Sequence, residues 1–179
     1  MPRIPYVDPR ISEPAELVAS IRARRGGELL NLDRMLLHSP ELAAGWNLLM
    51  GAVRRRFVVS ARLREIGICV VAVLNRAEYE FIHHAPELIE AGGSKAQVEA
   101  LRDPQRALVN EQLFDETERQ VIALTIDMTR AVEVRPGLTE WLNERLGPQQ
   151  TVELVSTIAA YNMVSRLLVA VGVEPEEGR

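Results

Sequence analysis

The chain has 179 residues, 47% of them apolar, with 21 basic against 25 acidic side chains and a net charge of −4. That length suits one domain with a sizeable core, and a mildly acidic balance with no basic stripe argues against a nucleic-acid partner. A single cysteine, Cys69, excludes an intrachain disulfide framework and a cysteine-based zinc cluster, while few aromatics beside plentiful Ala, Leu, Val, Glu and Arg favour helix over strand.

Residues 1–11 carry three prolines and read as an extended arm. Met1-Pro-Arg-Ile-Pro-Tyr6 lacks the apolar stretch of a signal peptide, so a cytoplasmic location is expected. A helix should open near Ser12, with Pro14 close to its first turn, and stop at Gly26-Gly27. Leu29 to His38 is a short apolar-periodic piece. Ser39-Pro40-Glu41 then reads as a start, with Ser39 as N-cap and Pro40 in the first helical position. The helix over 40–55 should turn Leu42, Trp46, Leu49 and Val53 to the core. Arg54-Arg55-Arg56 reads as its solvated end.

Ser60 is placed to cap the next helix, which runs to about Leu74 and is apolar nearly all round, implying deep burial. Asn75-Arg-Ala-Glu78 reads as a break followed by a capping-box variant, with Asn75 accepting from a new first turn. That new helix should run to about Ala91 and end at Gly92-Gly93. Ser94-Lys-Ala-Gln97 and Asp115-Glu-Thr-Glu118 are further capping signals. A short helix is expected from Pro136-Gly137 to Gly147, then a last one over 149–171, before a short tail at 173–179. The apolar stretch Val152 to Val173 is interrupted by Glu153, Asn162, Ser165 and Arg166, so it reads as a buried helix rather than a membrane span. The pattern throughout is all-α, in a single domain over 1–179.

The chemistry-bearing residues cluster around the break. Glu80 and His84 are four apart and share one helix face, while His83 points about 100° away. Glu65 precedes Glu80 by fifteen residues, about 22 Å along a straight helix, so only a fold-back at Asn75 brings it near. A buried carboxylate beside a histidine is a workable acid/base pair. Two plainer arrangements use the same residues. Glu80 and His84 can form a surface pair with Glu65 a solvated first-turn acid, or Glu80, His83, His84 and Glu87 can hold a metal.

The spacing Glu65-x11-Ala77-x2-Glu80-x3-His84 resembles the carboxymuconolactone decarboxylase and alkylhydroperoxidase D-like family. There the motif runs Glu, then Cys-x-x-Cys, then x3-His. The resemblance extends to Arg62-Leu-Arg-Glu-Ile66, Tyr79 through Pro86, Ala91-Gly-Gly-Ser94, Leu113 through Arg119 and Val152 through Leu168, covering about 30–172. It implies a compact all-α bundle assembled as a homo-oligomer, with Glu65 as proton-relay acid and His84 as its partner. Ala77 and Glu80 occupy the two cysteine positions, so the family's disulfide chemistry should be absent. The decarboxylase branch also lacks the cysteine pair.

The expectation is therefore proton transfer on a small carboxylated or lactone-type molecule by Glu65, Glu80 and His84. Tyr79, His83 and Arg64 are candidates for binding it, and Arg62 and Arg76 are close enough in sequence to be considered. Neither a metal nor another cofactor is expected. The alternative is a non-catalytic binding or scaffold protein that kept the fold.

Overall fold

The computed structural model describes residues 2–176; Met1 and the last three residues of the expected tail lie outside them. Among the described residues there are ten helices and no strand: α1 Ala15–Arg25, α2 Asn31–Leu36, α3 Pro40–Arg55, α4 Ala61–Leu74, α5 Glu78–Glu90, α6 Lys95–Ala100, α7 Pro104–Leu108, α8 Glu116–Arg130, α9 Leu138–Leu146 and α10 Pro148–Val171. Two compact units emerge. One comprises the residues up to Arg56 and those from Leu168 on; the other is Phe57–Leu167.

In the first unit, Asp33 is the electrostatic centre. Its buried carboxylate accepts from Arg24 Nη2 at 3.0 Å, Arg25 Nε at 2.8 Å and the Leu30 backbone N–H at 3.1 Å. Burial pulls the Arg24 guanidinium below its ordinary value, with Arg25 adding to the effect. The arm is tied down by the bond from the Arg3 backbone N–H to the Val171 carbonyl and by Arg34 Nε on the Val7 carbonyl. α1 starts one residue after Pro14, which is its N-cap, and ends at left-handed Gly26. Ser39 caps α3 with Pro40 in the first turn, as expected. The inward face of α3 differs from the expected one. Trp46 and Val53 are buried, but their companions are Ala43 and Met50, while Leu42 and Leu49 are exposed. Two members of the stripe are thus displaced by one position, while Trp46 and Val53 are common to both.

The second unit is built round α4, which packs against α5 and α8. Ile66, Ile68, Cys69, Val70 and Val71 are all fully buried, joined by Ile122 and Leu124 of α8 and Leu154 and Ile158 of α10. Ser94/Gln97 and Asp115/Glu118 form reciprocal capping boxes at α6 and α8. Ser60 stands at the N-cap position of α4 but its hydroxyl makes no capping bond. Gly92 adopts φ +91°, and a Cβ on Gly93 would lie 2.8 Å from the Leu88 carbonyl oxygen, so the α5–α6 turn requires this pair. α10 is long and apolar enough to cross a membrane by length and composition alone, yet half of its apolar window is buried within the protein.

Candidate functional site

The break between α4 and α5 is made by backbone hydrogen bonds rather than by a side-chain cap. Arg76 N–H donates to the Val73 carbonyl and Ala77 N–H to the Ala72 carbonyl, which is the Schellman pattern of a helix C-terminus. Arg76 occupies the left-handed position at φ 57°, where glycine is the usual residue. Asn75 therefore ends α4 instead of capping α5, whose N-cap is Ala77 with no side-chain bond. The Asn75 amide is engaged elsewhere. Its Nδ2 donates to Asn162 Oδ1 at 3.0 Å and Ser165 Oγ at 2.7 Å on α10. Asn162 in turn donates to Thr129 Oγ1 and accepts from Arg166. This polar brace holds the reversal that returns the chain along α4.

The reversal brings Glu65 to His84. His84 Nδ1 lies 2.6 Å from Glu65 Oε2, and Arg64 Nε donates to Glu65 Oε1 at 3.3 Å. Glu65 is 2% exposed and His84 5%. Tyr161 of α10 meets the His84 ring edge-on, with centroids 4.9 Å apart. A carboxylate only accepts, so Nδ1 is the donor of this pair. With the hydrogen on Nδ1, Nε2 is the acceptor nitrogen of the neutral ring.

Glu80 sits one turn before His84 on the inner face of α5, and is 1% exposed. Neither carboxyl oxygen has a hydrogen-bond partner. Burial pushes its carboxyl well above the ordinary range. As the third residue of α5 it lies near the positive end of the helix, which favours an anion by about 1 kcal/mol. Stripping water from an unpaired carboxylate costs several kcal/mol, so burial outweighs the helix end and opposes ionisation of this group. Cys69 is one turn after Glu65 on α4. Burial, then the charges of Glu65 and Glu80, raise its thiol far above the range in which a thiolate forms.

The remaining candidates are spread around this core. His83 is half-buried; its Nδ1 donates to the Tyr79 carbonyl at 2.7 Å, and its ring stacks on Tyr79 at 4.2 Å. Tyr79 and Phe81 are buried, and the Arg102 guanidinium covers the Phe81 ring. Arg62 is held by Glu118 and the Gly92 carbonyl. Arg76 is exposed at the turn. Among the described residues no group of three His, Cys, Asp or Glu side chains is gathered as a metal would need. Tyr161, Asn75 and Asn162 were not among the sequence-derived site residues. A tyrosine within α10, a helix expected to be buried, was the available signal for the first, because its hydroxyl needs a partner when buried.

The model of the carboxymuconolactone decarboxylase family matches residues 40–110. No match is found among curated proteins. Solved structures of similar fold include an uncharacterised peroxidase-related protein from Silicibacter sp. TM1040 (18% identity, TM-score 0.80, covering 98% of this chain and 92% of that one). Another, from Ralstonia eutropha JMP134, is described as an alkylhydroperoxidase AhpD core and an uncharacterised peroxidase-related protein. It is 15% identical with TM-score 0.77, covering 98% of this chain and 93% of that one. The debrominase Bmp8, in a cysteine-to-alanine form complexed with 2,3,4-tribromopyrrole, is 16% identical with TM-score 0.80, covering 99% of this chain and 95% of that one. At these identities the likeness concerns the fold.

Proposed function

We propose that the chain is a member of the carboxymuconolactone decarboxylase family, a reading supported by the match of that family's model to residues 40–110, and that it acts on a small carboxylated or lactone-type molecule by proton transfer through Glu65 and His84. The observation that carries this reading is the 2.6 Å contact between His84 Nδ1 and Glu65 Oε2, formed between two helices and buried on both sides. Glu65 fixes the imidazole tautomer and orientation and stabilises the imidazolium that forms when Nε2 takes up a proton. Arg64 holds the other Glu65 oxygen and keeps the carboxylate in place. Thiol peroxidase chemistry has no support. Ala77 and Glu80 stand at the two cysteine positions, and Cys69 is buried with its thiol held protonated. The debrominase complex supports a small ring as the kind of ligand this fold takes.

A cytoplasmic homo-oligomer belongs to the same proposal. Leu42, Leu48 and Leu49 of α3 and Val152 and Met163 of α10 are exposed, and a second copy would cover such apolar surface. Sedimentation at micromolar concentration should give more than a monomer.

The functional test is a thermal-shift screen against small carboxylic acids and lactones. A ligand that stabilises the wild type should fail to stabilise Glu65→Gln and His84→Ala, with both variants still folded. Retention of ligand stabilisation in both variants removes the proton-transfer reading. A screen without any hit favours the non-catalytic scaffold alternative.

A further inference from the structure

We infer that Glu80 reads an uncharged carbonyl oxygen of the ligand by donating its carboxyl proton to it, and that an ionised carboxylate is rejected at this position. The inference rests on the reading of this cluster as a small-molecule site and adds the group that the ligand must present to α5.

Every other buried carboxylate among the described residues has its hydrogen bonds made within the protein. Asp33 is held by two arginines, Glu65 by Arg64 and His84, and Glu118 by Arg62 and the Asp115 backbone N–H. Glu153 accepts from the Val58 and Val59 backbone N–H groups. Glu80 alone has both oxygens buried and unpartnered. A buried polar group without a partner is destabilising, so its retention calls for an explanation.

The position supplies one. Glu80 shares the inner face of α5 with His84, and α5 packs on α4, which carries Glu65 and Cys69. Glu80 has the buried thiol of Cys69 close by on α4 and the imidazole of His84 one turn along its own helix. Neither provides a fixed cation for a second carboxylate, and Arg64 is already on Glu65 and Arg62 on Glu118. A ligand carboxylate placed against Glu80 would be dehydrated without compensation. A carbonyl oxygen has no charge to desolvate and accepts the one proton that Glu80 offers. Negative charge that builds on that oxygen as His84 moves a proton would strengthen the same hydrogen bond.

The test uses three probes of matched size: γ-butyrolactone, 2-pyrrolidone, and the ring-opened anion 4-hydroxybutyrate. Their binding to the full chain is followed by thermal shift and by NMR titration at neutral pH. The lactone and lactam should bind the wild type and the hydroxy acid should not. Glu80→Gln keeps a neutral donor and should retain the affinity within about threefold. Glu80→Leu removes the donor and should lose about tenfold or more. An infrared difference spectrum of wild type against Glu80→Gln should show the carbonyl stretch of a protonated carboxyl group.

Equal or better binding of 4-hydroxybutyrate overturns the inference. So does unchanged lactone binding in Glu80→Leu, which is the result if Glu80 merely holds a buried water. Absence of the protonated-carboxyl band, or no binding by any probe, also overturns it. The proton-transfer reading fails separately. If Glu65→Gln and His84→Ala bind and turn over ligand like the wild type while selectivity follows residue 80, Glu80 keeps its role and the relay does not.

Discussion

Glu80 and Glu118 occupy the same position in their helices, the third residue of α5 and of α8, and both are almost fully buried. Their surroundings are opposite. Glu118 turns back to accept from the Asp115 backbone N–H at 3.0 Å while its other oxygen takes Arg62. Glu80 follows a cap, Ala77, that has no side-chain acceptor of its own, and its carboxyl turns inward to no partner at all. One residue type at one helical position thus serves two ends. At α8 the buried charge closes a helix terminus and ties it to α4. At α5 the buried acid makes no hydrogen bond within the protein, which the proposed contact with a ligand would account for.

The comparison breaks most easily through one substitution made at both places. Glu118→Leu leaves Arg62 and the Asp115 N–H without their acceptor. It should cost about 3 kcal/mol in urea unfolding, the low end for breaking a buried pair because the Arg62 side chain is 35% exposed. Glu80→Leu removes no hydrogen bond and replaces a buried polar group by an apolar one of similar volume. It should be neutral or stabilising, within about 1 kcal/mol. A loss at Glu80 as large as that at Glu118 would mean that Glu80 has a structural partner.

A smaller effect sharpens the contrast by pH. The Glu80 carboxyl is raised above its unfolded value of 4.5 by burial. Its neutral form favours the folded state, so that contribution is complete below the unfolded value and is lost as pH rises towards the folded one. Glu80→Gln does not titrate. The difference in melting temperature between Glu80→Gln and the wild type should therefore grow in favour of the variant from pH 5 to pH 8. A difference independent of pH would show that Glu80 is ionised throughout.

The two glutamates were not equally legible in the sequence. Asp115-Glu-Thr-Glu118 announces its capping box, because both partners lie within four residues. The same local logic placed Ser39 and Ser94 correctly. It misassigned Asn75, whose amide bonds to Asn162 and Ser165 some ninety residues later and whose helix is ended by backbone bonds through a left-handed Arg76. The fold-back itself was legible, since only it brings Glu65 to His84. That Glu80 would be solitary was not. Lack of a partner depends on every element packed around a group, and no local pattern encodes it. Tyr161 stayed hidden for the same reason, because its contact with His84 spans 77 positions.

Cys69 offers the finest discrimination. It is buried one turn after Glu65, and burial is the leading cause of its raised thiol, ahead of the charges of Glu65 and Glu80. Alkylation by iodoacetamide at pH 8 should therefore be negligible in the folded protein and should proceed at the rate of unfolding. If Glu80 is a neutral acid, it exerts no repulsion on a thiolate, and Glu80→Gln should leave that rate unchanged apart from any change in stability. If Glu80 is instead a carboxylate, removing its charge eases thiolate formation, and labelling of the folded variant should accelerate. The labelling rate of one cysteine thus reports the charge of its neighbour without any ligand present. Faster labelling in Glu80→Gln, at equal stability, would make Glu80 an ionised group whose partner must then be sought.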